Sequence, residues 1–543
     1  MVNPAILGDE YLYSLNARKA APWDAPVAGD FSNYLFNFVY QTTNLCGPNF
    51  YSCSKVLNIT FFLGFIYSIF LLVRKSAGYW PSYLVMVGVG LSPLNIYPSM
   101  FLPESLYFFL MSLVALAIYR ALARGTFLSW GLVGSLLGVA SLVKPHAWLS
   151  FIAIAVAFTV LYEWKTKTIL NYLRDGLFVS IAAVATRVVV GFLVAGPKAL
   201  SLFGQYVGTG TVETLIEGPL SGEALQSENY VGAGPLAGVE ALFLNQFSYH
   251  LTTIMALGVV QTIAFAMVIV QAIRHRELQL PAKLVLMSGI WLLVLLVEIV
   301  IFTGWVTGGG DDHTFRLLLR YYEFMIPISL ATSIGYMFSK SYEPPSVFIR
   351  WLAAAAVFLG FSPAFSGLFN QLSIQIADAP SVAGLIVNQE VFTIVGVLAL
   401  SATLVFATFP KYLPLMGAAT SLLTAVYLGF QTSDQYQIFR GGDGPLDSAG
   451  KEAALFLGNE KITSKVKIFA NSRFDATGAA FWVDRSDTSY EVVIENAVIT
   501  SDVVPDEHEV VLTVGRVELA IDEFELVSEG DGFKMYVKNI LDR

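Results

Sequence analysis

The chain has 543 residues, of which 55% are hydrophobic and 13% are charged, whereas a soluble globular protein carries about 25% charged residues. Its 14% aromatic content and 44 glycines exclude a disordered or collagen-like chain. Because the apolar residues stand in long runs that contain almost no charge, the composition indicates a polytopic membrane protein.

The charge is distributed unevenly along the chain. The formal charge is −9, from 41 acidic and 32 basic residues. Residues 431–543 contain 21 acidic and 11 basic side chains, which leaves 20 acidic and 21 basic ones in the preceding part. The tail is therefore an acidic, soluble-looking segment. Since no basic stripe or recognition motif is present, nucleic acid is not expected as a partner.

Twelve apolar runs are long enough to cross a membrane, for which a helix needs about 20 mostly apolar residues. They lie near 56–74, 81–99, 104–122, 127–143, 146–162, 176–195, 248–273, 282–303, 315–338, 348–369, 391–409 and 412–430. They lack the alternation of membrane-spanning strands. We therefore predict a polytopic α-helical protein with about 12 transmembrane helices over 56–430, preceded by an outward segment, 1–55, and followed by a soluble α/β domain, 431–543.

The orientation follows from the basic residues in short loops, because Lys and Arg are in excess on the cytoplasmic side. One alternating set of loops holds Arg74, Lys75, Arg120, Arg124, Lys165, Lys167, Arg174, Arg274, Arg276, Lys283, Lys340, Arg350 and Lys411. This set is predicted to be cytoplasmic. Residues 1–55, the loops 196–247 and 304–314, residues 370–390 and the tail then face the exterior, which is the periplasm for a bacterial inner membrane.

Two features of the N-terminal segment bear on this orientation. Cys46 and Cys53, the two cysteines of the chain, lie in its turn-rich part, and a disulfide between them suits an oxidising compartment; two unpaired thiols are the alternative. The segment has no hydrophobic span before it to carry it across a membrane. We therefore expect a further helix upstream of the printed start, with translocation by the following helices as the alternative.

The outward segment contains two predicted amphipathic helices, at 8–21 and 31–40, which would lie in the membrane interface. Asp9 and Glu10 occupy the first turn of the former, where the helix dipole favours carboxylates. Capping on a solvated surface explains them as well as a functional role does.

In the tail, residues 448–458 are predicted to be a helix. Residues 465–470, 490–495 and 509–514 are predicted strands, and 524–527 with 533–537 form a predicted hairpin. No nucleophile–base pair stands out there, so the tail is expected to cover the membrane part or to bind an acceptor.

Ionisable side chains at membrane depth are costly and suggest function. Glu104 follows Pro103 at the outward start of a span, and Lys144 and His146 lie in an outward turn. Alternatively, Glu104 is an ordinary carboxylate at a helix terminus, and Lys144 and His146 extend to lipid phosphates. Arg187 and Glu298, each within a span, are expected to pair with neighbouring helices.

A second group of cations lies near the outward end of the span 315–338. Arg316 and Arg320 are four residues apart, which places them on one face of a helix, and Tyr321 follows. Two guanidinium groups match phosphate oxygens in charge and geometry. The preceding acidic loop, 308–313, ends in Asp311, Asp312 and His313, but consecutive side chains do not converge readily on a metal ion.

Together these features resemble the GT-C glycosyltransferases, the integral-membrane enzymes that use polyprenyl-phosphate sugars. The resemblance rests on the sequence from Gly8 to Tyr13 with Ala17-Arg18, on Pro103-Glu104-Ser105, on residues 142–145, and on Arg320-Tyr321-Tyr322 leading to Pro327. Each motif is short, and their order and common predicted sidedness carry the likeness. The C-terminal domain with its hairpin is similar to that of the lipid A aminoarabinose transferase group; the protein mannosyltransferases are also similar.

The resemblance implies an inverting transfer of a sugar from a polyprenyl-phosphate donor to a glycan, lipid or protein acceptor. Asp9 would be the catalytic base and Glu10 its helper or an acceptor ligand, with Glu104 as a further candidate. Lys144, His146, Arg316, Arg320 and Tyr321 would bind the donor phosphate. Because side chains would hold the leaving phosphate, no cofactor is expected and a divalent metal is not favoured.

Two other functions fit parts of the sequence. Twelve spans suit a secondary transporter, with Arg187 and Glu298 as a coupling pair, but the two halves show no self-similarity of the kind that transporters carry. A polysaccharide polymerase or ligase with a lipid-diphosphate donor would be supported by paired arginines in a large outward loop. The loop 196–247 has no arginine, and Lys198 is its one basic residue.

Overall fold

The computed structural model describes residues 3–5, 8–20, 23, 32–161, 168–201, 235–275, 278–306, 317–365, 375–387, 389–460, 465–501, 503–505 and 507–539. The predicted loop 304–314 lies mostly outside the described residues, and Arg316 lies outside them. The described chain forms two compact units. Unit 1 comprises Met1–Leu57, Pro98–Leu102 and Tyr436–Arg543, and unit 2 comprises Asn58–Tyr97 and Pro103–Gln435.

The helices follow the apolar runs of the sequence. Those up to residue 275 are α1 Gly8–Arg18, α2 Tyr34–Tyr40, α3 Phe50–Ala77, α4 Tyr79–Gly90, α5 Glu104–Arg124, α6 Phe127–Val143, α7 Ala147–Leu161, α8 Ile169–Ala195, α9 Pro235–Leu257 and α10 Val259–His275. The later ones are α11 Leu280–Val306, α12 Met325–Met337, α13 Val347–Phe365, α14 Pro380–Leu385, α15 Gln389–Thr408, α16 Leu413–Arg440, α17 Pro445–Asn459 and α18 Arg473–Val483.

The helices of the described residues are consistent with a polytopic membrane protein, although they do not confirm twelve spans. Six are long and apolar enough to cross a membrane, and a seventh crossing arises if the bent pair of α9 and α10 counts as one. α6, α7, α12 and the described part of α13 are apolar but shorter. A helix of 15 residues rises about 22 Å, less than the ~30 Å hydrocarbon core.

Three predicted spans differ from the structure. The run 248–273 is broken at Gly258, where α9 and α10 meet at 96°, because glycine is a poor helix former. The run 81–99 ends its α-helix at Gly90 and continues as a 3-10 helix over Pro93–Ser99. The run 315–338 becomes a 3-10 turn at Leu319–Tyr321 followed by α12.

The closest helix packing in unit 2 joins α6 to α8. A Cβ atom at Gly134 would collide with the carbonyl oxygen of Val179, and one at Gly138 with that of Ala183. Small residues four apart let two membrane helices approach closely. Because α6 ends at Lys144 and the next turn leads into α7, this contact fixes where that turn lies within unit 2.

In unit 1, the two predicted amphipathic helices are present as α1 and α2. A disulfide joins Cys46 and Cys53, whose Cα atoms are 6.5 Å apart. However, α1 is not one-sided: Tyr11, Tyr13 and Leu15 are all buried, because α1 packs on both α2 and α18. The prediction that α1 presents a single apolar face was therefore wrong.

The tail has the predicted α/β class. Its strands are β1 Lys465–Ala470, β2 Thr488–Val492, β3 Ala497–Ile499, β4 His508–Val514, β5 Val517–Leu519, β6 Phe524–Gly530 and β7 Phe533–Lys538. Five of them form one sheet in the order β2-β1-β4-β7-β6, and β3 pairs with β5. β1 is parallel to both β2 and β4, whereas β7 is antiparallel to both β4 and β6.

The predicted hairpin is confirmed as β6 and β7. Gly530 pairs with Phe533 across the turn, and Gly532 has a φ of +76°, which suits an Asp-Gly hairpin turn. α18 was not among the helices predicted from the sequence. The sequence did contain a signal for this helix, because serine is a preferred N-cap residue. In the structure, the Ser472 hydroxyl caps α18 by accepting a hydrogen bond from the backbone N–H of Asp475 at 3.0 Å.

Candidate functional site

The centre of the candidate site in unit 2 is a buried ion pair between α5 and the end of α6. Glu104 is the first residue of α5, and Lys144 is the C-cap of α6. The Lys144 Nζ lies 2.8 Å from the Glu104 Oε1, and the two side chains are 4% and 1% exposed. Lys144, predicted to bind the donor phosphate, is therefore already paired with the predicted carboxylate Glu104.

Tyr321 joins this ion pair to the other predicted cations. Its ring centroid lies 5.0 Å from the Lys144 Nζ and 5.5 Å from the Arg320 Cζ, within the range of cation–π attraction. The His146 ring lies 4.2 Å from the Tyr321 ring, centroid to centroid. We call Lys144, His146, Arg320 and Tyr321 the cation cluster. Four residues predicted from separate motifs thus meet in one place.

His146 differs from the other two basic members. It lies in the turn between α6 and α7 and is 9% exposed. Burial lowers its pKa well below the usual histidine value, and the neighbouring Lys144 and Arg320 lower it further. His146 is therefore a neutral ring at neutral pH, and Lys144 and Arg320 carry the positive charge of the cluster.

Arg320 is held by a carboxylate that the sequence reading did not identify. Its backbone N–H donates to the Asp378 carbonyl at 2.8 Å, and its Nε lies 3.2 Å from the Asp378 Oδ1. Asp378 is fully buried. The prediction that Arg320 lies on an α-helical face was wrong, because the chain forms a 3-10 turn there before α12 starts at Met325.

A third buried carboxylate, Glu323, follows in the same turn and is held by neutral donors. The Tyr97 hydroxyl donates to its Oε2 at 2.8 Å. The Ser381 hydroxyl donates to its Oε1, and the Ser381 backbone N–H does so at 3.4 Å. Asp378 lies just before α14 and Ser381 lies in the first turn of α14. This short part of the chain therefore contacts the turn at two points.

Glu323 also lines a cavity of about 60 Å³ in unit 2. Most of the lining is apolar and comes from α4, α12 and α16. The other polar members are Ser92, Gln261, Ser381, Ser421 and Thr424. Among the described residues that line it, none is basic. The cavity therefore does not suit an anion, whereas the cation cluster does.

The predicted catalytic carboxylates Asp9 and Glu10 belong to unit 1, in the first turn of α1. Glu10 is fully buried, and its Oε1 accepts the backbone N–H of Phe101 at 2.7 Å. Asp9 is only partly buried. Of the two neighbours, Asp9 is the more exposed residue.

The other end of α1 is fixed by charge. Arg18 and Lys19 both pair with Asp484, the residue that ends α18. The Arg18 guanidinium lies 3.7 Å above the Phe50 ring. Burial lowers the pKa of Arg18, and the adjacent Asp484 carboxylate acts against that shift. These contacts hold α1, and therefore Asp9, at a defined place in unit 1.

Arg187 contacts neutral groups on neighbouring segments, as a structural role would require. Its Nη1 donates to the Ser141 carbonyl at 2.8 Å and its Nη2 to the Ser201 carbonyl at 2.7 Å. These contacts explain a buried arginine without a transport function. Within the described residues, no group of three His, Cys, Asp or Glu side chains is placed to hold a metal ion; Asp311, Asp312 and His313 lie outside them.

Tyr97, Glu323, Asp378 and Ser381 were missed at the sequence level. Glu323 directly follows the Arg320-Tyr321-Tyr322 motif and could have been included with it. Asp378 and Ser381 gave no signal, because they lie in a stretch, 370–390, that reads as an outward loop. Their importance comes from contacts with residues more than 50 positions away.

Comparisons with known proteins give limited similarity. No family model matches the chain, and no curated protein matches it. Two crystal structures of ArnT from Cupriavidus metallidurans are similar. The apo structure has 12% identity and a TM-score of 0.45 and covers 100% of this chain and 95% of ArnT. The structure bound to undecaprenyl phosphate has 13% identity and a TM-score of 0.46 and covers 99% and 94%. Sequence identities and TM-scores this low do not assign a function to this chain.

Proposed function

We propose that the protein is an integral-membrane glycosyltransferase that moves a sugar from a polyprenyl-phosphate donor to a glycan, lipid or protein acceptor. The cation cluster is the observation that carries this proposal. Two charged side chains, Lys144 and Arg320, are buried beside one tyrosine ring. Each of these cations already pairs with a buried carboxylate. The grouping of both cations around one ring supports a site that can also bind an anion, and a lipid phosphate is the anion expected at membrane depth.

The chemistry that follows is a one-step displacement. Asp9 takes the proton of the acceptor hydroxyl as the hydroxyl oxygen attacks the anomeric carbon, which requires a carboxylate–oxygen distance of about 2.6–3.2 Å. The bond from the anomeric carbon to the phosphate oxygen breaks, and the configuration at that carbon inverts. Lys144 and Arg320 stabilise the charge that develops on the leaving phosphate.

The roles of the three candidate carboxylates differ in this proposal. Asp9 is partly exposed and remains the candidate base. Glu10 is buried on a backbone N–H, which supports a positioning role for α1. Glu104 is paired with Lys144, which supports a role in binding rather than in proton transfer.

The direct test is transfer from a radiolabelled donor. Purified full-length protein in lipid nanodiscs is given a polyprenyl-phosphate sugar labelled in the sugar, together with a membrane extract as the source of acceptors. We expect label to move to an acceptor in a Lys144-dependent way. Uptake of a free solute into sealed vesicles without any transfer would contradict the proposal and favour a transporter. Transfer from a lipid-diphosphate donor alone would favour a polymerase or ligase.

The proposal also requires a sidedness. The Lys and Arg distribution supports an exterior location, in a bacterial inner membrane, for residues 1–55 and the acidic tail. A reporter fused after Arg543 that is active only when exported should be active. If protease digests the tail from the cytoplasmic side, the active face is cytoplasmic and the proposed orientation is wrong.

A further inference from the structure

We infer that Glu104 and Asp378 are internal counter-ions that compete with the lipid phosphate for Lys144 and Arg320, and so limit how tightly the polyprenyl phosphate product is held. This inference rests on the proposed function. It assigns to both carboxylates a part in setting affinity, and it concerns the release of product rather than the chemical step.

The first observation is that each cation of the cluster has a carboxylate of its own. Glu104 lies 2.8 Å from the Lys144 Nζ. Asp378 lies 3.2 Å from the Arg320 Nε. Both carboxylates are almost completely buried, at 1% and 0% exposure. The two pairs are therefore neutral before any phosphate arrives.

The second observation is that Glu323, the third buried carboxylate, is held in another way. It accepts hydrogen bonds from Tyr97 and Ser381, which carry no charge. A buried carboxylate in this unit can therefore be stabilised without a cationic partner. The ion pairs of Glu104 and Asp378 are specific to the two residues that supply the cluster's charge.

The physical consequence is an exchange of partners. A phosphate that enters the cluster shares each cation with a carboxylate, and it meets the negative charge of that carboxylate at short range. When the sugar has left, the carboxylates can pair with the cations again, which favours departure of the lipid phosphate. Removing one carboxylate charge should therefore strengthen phosphate binding and slow product release.

The experiment compares wild-type protein with Glu104→Gln and Asp378→Asn, both of which keep an oxygen acceptor and remove the charge. Binding of radiolabelled polyprenyl phosphate to full-length protein in nanodiscs is measured at equilibrium and by dissociation. We expect each variant to bind about 10- to 100-fold more tightly, the range of one charge-assisted contact. The gain should appear as slower dissociation, and steady-state transfer should show an initial burst.

Asp175→Asn is the matched control. Asp175 is another fully buried carboxylate of unit 2, paired with Arg174 at 2.8 Å on α8. Its loss should leave the affinity for polyprenyl phosphate unchanged. An equal gain in affinity in this control would show a general effect of charge and would overturn the specific role of Glu104 and Asp378.

The outcomes separate this inference from the proposed function. Unchanged or weaker binding in both Glu104→Gln and Asp378→Asn, with wild-type binding intact, overturns the inference alone. No binding of polyprenyl phosphate by the wild type overturns the proposed function. If a neutral variant does not fold, Glu104→Asp and Asp378→Glu replace it, because they keep the charge and change the distance between the carboxylate and its cation. Faster dissociation or no change in both would then contradict the inference, and slower dissociation would support it.

Discussion

Glu10 in unit 1 and Glu104 in unit 2 are both buried carboxylates at the start of a helix, yet they are held differently. Glu10 accepts a hydrogen bond from the backbone N–H of Phe101, and Glu104 pairs with the side-chain ammonium group of Lys144. A backbone donor cannot be given to another anion without moving the chain, whereas an ammonium group can change partner. In the proposed function, Glu10 therefore has a positioning role and Glu104 belongs to the binding site, where Lys144 can change partner.

The largest effect is expected for substitution of Asp9, the neighbour of Glu10. Asp9→Asn should lower sugar transfer by about 10²–10⁴-fold, the contribution of a general base, and leave donor binding unchanged. Glu10→Gln is the paired variant. It should lower the free energy of unfolding by about 1.5–3 kcal/mol, because it weakens a charge-assisted hydrogen bond. Initial rates and thermal melting of both variants measure these effects. If Asp9→Asn turns over normally, Asp9 is not the base.

Lys144→Met tests the exchangeable pair. Alone it should lower the free energy of unfolding by about 3–5 kcal/mol, because Glu104 is left as an uncompensated buried charge. The double variant Lys144→Met with Glu104→Gln should recover most of that stability without recovering donor binding. Melting curves and donor-binding isotherms of the two proteins provide the measurement. Donor binding by the double variant at wild-type affinity would remove Lys144 from the site.

Arg320→Ala is expected to have the next largest effect on the donor. It should weaken polyprenyl-phosphate binding by about ten- to a hundredfold, since one charge-assisted contact contributes about 1.5–3 kcal/mol. Arg320→Lys keeps the charge and loses the planar fork, and should fall between Ala and the wild type. Arg174→Ala, at an arginine whose side chain is 48% exposed, is the control. Equal binding by all four proteins would mean that the phosphate sits elsewhere.

The smallest effect is expected at His146. The lowered pKa leaves this ring neutral, so His146→Gln removes its contact with Tyr321 and no charge. Loss of one aromatic pair should weaken donor binding by about two- to tenfold. Titration of the donor at neutral pH gives the value. A loss as large as that of Arg320→Ala would show that the ring is charged in the complex.

Much of the fold followed from local features of the sequence. Runs of apolar residues predicted the helices because a chain in hydrocarbon must satisfy its own backbone hydrogen bonds. The strand at 465–470 and the hairpin turn at Asp531-Gly532 followed from alternation and from glycine's access to positive φ. The cations Lys144 and Arg320 stood out because charges are rare at membrane depth.

Only the tertiary structure decided how those charges are compensated. Glu104 and Lys144 are 40 residues apart, and Asp378 lies in a stretch that reads as a loop, so neither pairing has a periodic signal. The 96° break at Gly258 and the 3-10 turn at Arg320 likewise depend on packing that hydropathy does not record. A sequence pattern shows whether one segment needs an apolar environment or a partner for its charge. Which distant residue meets that requirement is set by how the segments pack against each other.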